Sequence, residues 1–278
     1  MFVDSHCHLA FPELSGRLDV ILGQMAAAQV EAALCICTTL EEFDRVHTLA
    51  RQHANLWATV GVHPDNEGVR EPTVEDLLER AAGPRVVGIG ETGLDYYRLA
   101  GRSVEEMAWQ RERFRVHVRA ARQAGLPLVV HTRSAAADTL SILVEEGARE
   151  VGGVFHCFTE TLEVARVALD LGFFISFSGI LTFRNAQALR EVAAFVPLER
   201  TLIETDSPYL APVPYRGKLN TPAWVPHVAT ELARVKGLEV QEVARATTLN
   251  FQRLFRLATA NPDSAGSLAG GLRQADPS

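Results

Sequence analysis

Short apolar runs alternate with longer amphipathic segments along this chain. The runs MFVDSHCH, EAALCICTT, LWATVGVHP, RVVGIGETGLD, LPLVVHTR, GGVFHCF, GFFISFSGI and RTLIETDSP read as strands. They are almost continuously apolar, which suits strands covered on both faces. Between them lie segments of helical period, such as RLDVILGQMAAAQ and VEEMAWQRERFRVHVRAARQAG. Ser103 caps the start of the latter and Gly125 its end. Strand–helix alternation implies parallel strands joined by right-handed crossovers. Eight such units before residue 210 predict an α/β (β/α)8 TIM barrel in preference to an open doubly wound sheet. A Pro-rich loop, SPYLAPVPYRGKLNTPAWVP, follows the eighth run, and then come extra C-terminal helices ending near LNFQRLFRLA. One domain is expected over 1–259. Residues 260–278 have no period and many small residues, so a flexible tail is expected there.

The ends of the strand-like runs carry the chemistry. The first ends in His6 and His8, the third in His63 and the fourth in Glu91; the fifth, sixth and eighth end in His131, His156 and Asp206. Residues two apart on a strand share a side, so His6 and His8 face one way and Cys7 the other. In a barrel all these ends lie on one C-terminal rim, where such enzymes keep their sites. A lone strand-terminal histidine is more often a packing residue than a ligand. Five of the nine histidines on one rim, with two carboxylates, reverse that expectation. Imidazole and carboxylate ligands suit Zn, Mn, Fe or, with more water, Mg. The candidate metal ligands His6, His8, Glu91, His131, His156 and Asp206 are too many for one tetrahedral ion. Two ions bridged by one carboxylate would use them all, and paired ions favour hydrolysis, phosphoryl transfer included.

Composition narrows the partners. A chain of 278 residues with 47% hydrophobic and 22% charged residues has the make-up of an ordinary globular protein. Its net charge of -7 argues against a broad basic surface coating nucleic acid, though not against a local cationic site. Cys7, Cys35, Cys37 and Cys157 include no C-x-x-C pair and read as small buried hydrophobes of a reducing compartment. The longest apolar run, LGFFISFSGIL, is about half of a membrane span. No basic segment followed by an apolar run precedes the first strand. No membrane contact and a cytoplasmic location are therefore expected; protein partners are not legible.

The motifs DSHCHL, GVHPDN, GIGETGLDYYR, VVHTR, FHCF, ISFSGI and ETDSPYL resemble the ordered motif series of the TatD-type metal-dependent deoxyribonucleases. The likeness extends over residues 1 to about 257, and the family belongs to the amidohydrolase-like barrels. The resemblance implies two divalent ions, Mg2+, Mn2+ or Zn2+, and often 3′ exonuclease action on single-stranded DNA or RNA. It implies that His6, His8 and Asp206 hold one ion, that His131 and His156 hold the other, and that Glu91 bridges them. Asp206 would also orient or deprotonate the attacking water, and His63 would contact the substrate phosphate or leaving group. Asp206, Glu91 and His63 are thus the catalytic candidates. Glu204 matches the ETD motif and is expected to point away from Asp206 or to support it from behind. Many members read Arg-Gly-Lys-x-Asn-Glu-Pro after the eighth strand, whereas this chain has Thr221 in place of the glutamate. Substrate range is where that departure would be felt.

Around the rim, Tyr96, Tyr97, Arg98, Arg133, Arg216 and Lys218 could place cations and aromatic faces beside an anionic cage, which suits phosphates and unstacked bases. Cys7 and Cys157 adjoin ligands but should alternate away from them. His47, His53, His117 and His227 lie in helix-like segments and read as surface or packing residues. The leading expectation is a two-metal phosphodiesterase, a 3′-5′ exonuclease on single-stranded DNA ends. The alternative is a related barrel hydrolase acting on an ester, lactone or small phosphoester. A subtype bridging its metals with a carbamylated lysine is disfavoured, since no lysine precedes Lys218. A non-catalytic binding protein would be expected to have lost ligands.

Overall fold

The computed structural model of this chain describes residues 1–257; the tail expected over 260–278 lies outside them. The strands are β1 (Phe2–Cys7), β2 (Val30–Cys35), β3 (Leu56–Val60), β4 (Val86–Asp95), β5 (Leu128–Arg133), β6 (Gly153–Phe155), β7 (Phe174–Phe177) and β8 (Thr201–Ile203). They neighbour one another in sequence order, every pair parallel. The seam closes just past the strand ends. Cys7 bridges Ser207, the His8 N–H donates to Ser207 O (2.8 Å), and the Asp206 N–H donates to His6 O (3.0 Å). Helices fill the connections, and Val225–Lys236 and Val240–Leu254 follow β8. The chain is a (β/α)8 barrel with extra C-terminal helices.

A buried cluster holds Val3, Leu34, Val87, Val129, Val154, Phe174 and Leu202, one residue from each of seven strands, with Trp57 of β3 packed against it. That set is the barrel interior. Phe251, Leu254 and Phe255 belong to the same cluster, so the last helix stoppers the end opposite the rim. Burying each large side chain there contributes roughly 1.5–3 kcal/mol. The opposite end is left free for polar groups.

Two local devices aim the rim residues. The pairing of β1 with β2 shifts register between Asp4 and Cys7. Val3, before the shift, joins the interior; Ser5, within it, meets Ser176 (3.1 Å), and His6 within it and His8 beyond it turn their Nε2 atoms towards each other. β4 does not end at Glu91 but runs on to Asp95. Gly93 (φ 137°) lets it pass β5, because a Cβ there would lie 1.9 Å from His131 O.

The helix expected between Ser103 and Gly125 spans Ala108–Ala124, after a tight turn at Glu105–Met107. Ser103 and Glu106 cap that turn reciprocally, and Gly125 ends the helix at φ 65°. This helix supports the rim. His117 Nε2 accepts the Val62 N–H (2.9 Å), and buried Arg113 donates to His63 O and Asn66 O (2.8 Å each). The segment carrying His63 is thereby fixed from behind. Among the described residues no helix is long and apolar enough to cross a membrane.

Candidate metal centre

His6, His8, His63, His131, His156, Glu91 and Asp206 converge on one spot at the rim. Glu91 sits in the middle. Its Oε1 lies 2.8 Å from His156 Nε2, 3.2 Å from His131 Nδ1 and 3.3 Å from His63 Nε2. Its Oε2 lies 3.3 Å from His6 Nε2 and 3.9 Å from His8 Nε2. Asp206 Oδ1 completes the second group, 3.6 Å from His6 Nε2 and 3.4 Å from His8 Nε2. Burial opposes charge on Glu91, yet His156, His63 and His6 hold its pKa well below the usual carboxylate value. Asp206 is lowered too, against burial, by His8 and His6. At His156 burial favours the neutral ring, but Glu91 and Glu204 raise it well above the ordinary histidine value. Both central carboxylates are kept ionised, the form that binds cations.

Hydrogen bonds on the outer ring atoms decide which nitrogen faces inward as a lone pair. His131 Nε2 donates to Asp95 Oδ2 (3.1 Å), and His156 Nδ1 donates to Glu204 Oε1 (3.3 Å). The inward atoms, His131 Nδ1 and His156 Nε2, are thereby the ones left to give a lone pair to a cation once the rings shed their second proton. Carboxylate partners of this kind orient metal-binding imidazoles. His63 is the reverse case. Its Nδ1 accepts the Asp65 N–H (3.0 Å), which puts the ring proton on the inward Nε2. By distance His63, Glu91 and His131 could enclose a cation; a protonated Nε2 has no lone pair to give one. Burial also lowers the His63 pKa and keeps the ring neutral. His6 and His8 turn their Nε2 atoms inward, 3.3 Å apart, and their buried Nδ1 atoms have no partner.

The donor set fits divalent cations. Inward nitrogens of four imidazoles crowd against two ionised carboxylates, in groups whose ligand atoms lie within 4.8 Å of one another. Among the described residues no lysine or arginine pairs with Glu91 or Asp206 to relieve that crowding. Asp95 and Glu204 bear on the fit through the rings they hold. Asp95→Asn and Glu204→Gln are each expected to weaken Mn2+ affinity about 10- to 100-fold. Calorimetric titration of the variants measures this, and unchanged affinity in both would show that the rings need no such support.

Above the cluster opens a cavity of about 640 Å³. Asp65, Asn66, Arg98, Thr132 and Arg133 line it on one side; Phe11, Ile180, Tyr209 and Leu210 also line it. Arg98 pairs with Asp65 (3.3 Å), and Arg133 lies 3.6 Å over the exposed Tyr97 ring. Tyr96 is not on the wall. It is buried, its hydroxyl donating to Asp138 (2.8 Å) and accepting from Arg111 (3.0 Å), and burial pushes its pKa up to about 12. Arg216 lies over Phe183 (3.6 Å) and Lys218 over Tyr215 (5.4 Å), neither among the cavity-lining residues. Thr221 is buried behind the same loop, where Asn220 donates to Thr205 O (2.9 Å) and Tyr209 O (2.6 Å).

Cys7 is buried, its thiol donating to Leu34 O (3.4 Å), but Cys157 lines the cavity. β6 stops at Phe155 and Cys157 adopts φ 43°, so strand alternation no longer directs it. Glu204 supports His156 and the Cys157 N–H (2.6 Å) rather than Asp206. β8 has ended by then, and Asp206 at φ 55° turns the other way. Sequence reasoning missed Asp95, although its spacing from Glu91 puts it on the same side of one strand. It also missed Phe11 and Tyr209, for which the sequence carries no signal of exposure.

Fold and site together define a metal-dependent barrel hydrolase. A family model described as TatD related DNase matches residues 3–256, and the chain belongs to that family. It is 49% identical over 259 residues to the uncharacterized metal-dependent hydrolase YcfH of Escherichia coli K12, covering 92% of this chain and 96% of that protein. It is 35% identical over 243 residues to the 3′-5′ ssDNA/RNA exonuclease TatD of Citrobacter rodentium, covering 85% and 91%. Among solved structures, the TatD homologue YJJV of Escherichia coli K12 superposes with a TM-score of 0.85 at 29% identity, covering 92% of this chain and 98% of that one.

Proposed function

We propose that this protein is a two-metal phosphodiesterase that trims single-stranded DNA from 3′ ends. The observation carrying the two-ion reading is the division of labour at Glu91, whose two oxygens face separate groups of imidazole nitrogens. His6, His8 and Asp206 would hold one cation, His131 and His156 the other, with Glu91 shared. Bound Mg2+, Mn2+ or Zn2+ would supply an activated water and neutralise the scissile phosphate. Asp206 would accept the proton of that water: both carboxylates line the cavity, and its side chain is the more exposed, 14% against 3% for Glu91. His63 donates its Nε2 proton in a hydrogen bond to a phosphate or leaving-group oxygen. Arg98 and Arg133 face the phosphates that follow, and Tyr97 backs Arg133. The DNA substrate and 3′ polarity rest on family membership and on the name of the Citrobacter relative. Four free cysteines support work in a reducing cytoplasm.

End-labelled single- and double-stranded oligonucleotides, incubated with each metal and resolved by length, test this reading. Mononucleotide loss from 3′ ends of single strands is expected, abolished by chelation. The cations on the cavity wall are few, so affinity for a non-hydrolysable single strand should fall with salt at a log–log slope of roughly -0.7 to -2. A slope near about -6, the range of six or more phosphate contacts, or equal cleavage of closed circular duplex, would contradict it.

A further inference from the structure

The cavity walls differ in chemistry, and the difference orients the substrate. Arg98 and Arg133, with Asp65 and Asn66, stand at the ends of β3, β4 and β5, across the ring from the loops after β7, β8 and β1. Phe11, Ile180, Tyr209 and Leu210 offer no charge. Phe11 stacks on His8 (centroids 4.6 Å, 19° between planes), and Tyr209 stands edge-on to both rings at 6.4 Å. An aromatic notch therefore begins at a ring of the metal cluster itself.

Tyr209 is 54% exposed, but its backbone is pinned: its N–H donates to Asp206 O (3.0 Å) and its carbonyl accepts from buried Asn220. Its exposure is built in rather than a consequence of a loose loop. The other rim aromatics, like Phe11 on His8, already have a face taken, whereas Tyr209 lies stacked on neither neighbouring ring. Arg133 covers Tyr97, Arg216 covers Phe183, and Trp224 stacks on Tyr215 at 4.2 Å. Among the described residues no cation lies over Phe11 or Tyr209.

We propose that Phe11 and Tyr209 form a subsite for the nucleobase of the terminal nucleotide, the one released. This rests on the nuclease reading above. Phosphates beyond the scissile one need cations, and the cavity offers these on the Arg98–Arg133 wall, which leads outward through the exposed Tyr97 and Arg98. The rest of the strand leaves along that wall, and the terminal base is left to the aromatic one. Stacking accepts every base, because each has a π face. The subsite thus grips the end without reading its sequence.

Two oligonucleotides that differ only at the 3′-terminal residue, one with its base and one carrying a tetrahydrofuran abasic analogue, test the subsite. Wild-type kcat/KM is expected to favour the base-bearing end roughly 10- to 100-fold. Tyr209→Ala should collapse that ratio towards one, and Tyr209→Phe should restore most of it, with metal content measured in both variants. A ratio that stays at the wild-type value in Tyr209→Ala would overturn the subsite, as would a wild-type enzyme indifferent to the base. Wild-type enzyme that cleaves neither oligonucleotide would overturn the nuclease reading, and the subsite with it.

Discussion

Glu91→Ala is expected to abolish turnover, by on the order of 10⁴-fold or more, because on the proposed reading it removes the carboxylate that two cations would share to activate the nucleophile. The loss should be visible before any chemistry. Each oxygen of Glu91 faces a different set of nitrogens, so its deletion unmakes both halves of the cluster at once. Metal analysis of the purified variant should find both sites depleted, and excess Mn2+ should restore little. The variant leaves the rings of His131 and His156 on their own supports, Asp95 and Glu204, so the fold should persist. If the variant held two ions with wild-type affinity, Glu91 would not be the bridge.

His63→Ala should separate binding from chemistry. The Asp65 amide favours the His63 proton on the inward nitrogen, which on the proposed reading would make that atom a donor and not a ligand. Metal content should therefore remain near wild type, while kcat falls by about 10²–10⁴-fold, the usual worth of a proton donor or acid–base group at the reacting centre. His156→Ala provides the contrast. It removes a candidate ligand nitrogen 2.8 Å from Glu91 Oε1, so it should weaken one metal specifically, and excess metal should recover part of the activity. Identical behaviour of the two variants in titration and kinetics would contradict the assignment.

The barrel was legible because its strands are apolar on both faces and alternate with helical segments. The rim was legible because parallel strands put all their C-terminal ends on one side, which turned scattered histidines into a cluster. Glu204 parts from Asp206, one of the two arrangements expected of it, because β8 stops at Ile203 and the positive φ of Asp206 sends the two carboxylates to different partners. What failed was the inference that extends strand alternation past a strand's end. Cys157 escaped its expected direction for the same reason. In the opposite sense, β4 continues past Glu91 to the end of its apolar run and delivers Asp95, whose role went unread, to His131. Tyr96 and Tyr97 are adjacent and chemically alike; which of them is buried depends on Asp138 and Arg111, residues distant enough that no local pattern announces them. The roles of Arg113 and His117 behind His63 likewise exist only once a helix has packed on the barrel.

The claim that Glu91 is shared between two cations is tested most directly by loading the metal-free protein with Mn2+ and recording stoichiometry together with the electron paramagnetic resonance spectrum. Ions bridged by one carboxylate lie about 3.5–4 Å apart, close enough for their spins to couple. The account predicts two Mn2+ per chain and a coupled-pair signal that disappears in Glu91→Ala. Saturation at one ion per chain, or two ions with the spectrum of isolated Mn2+, would contradict it.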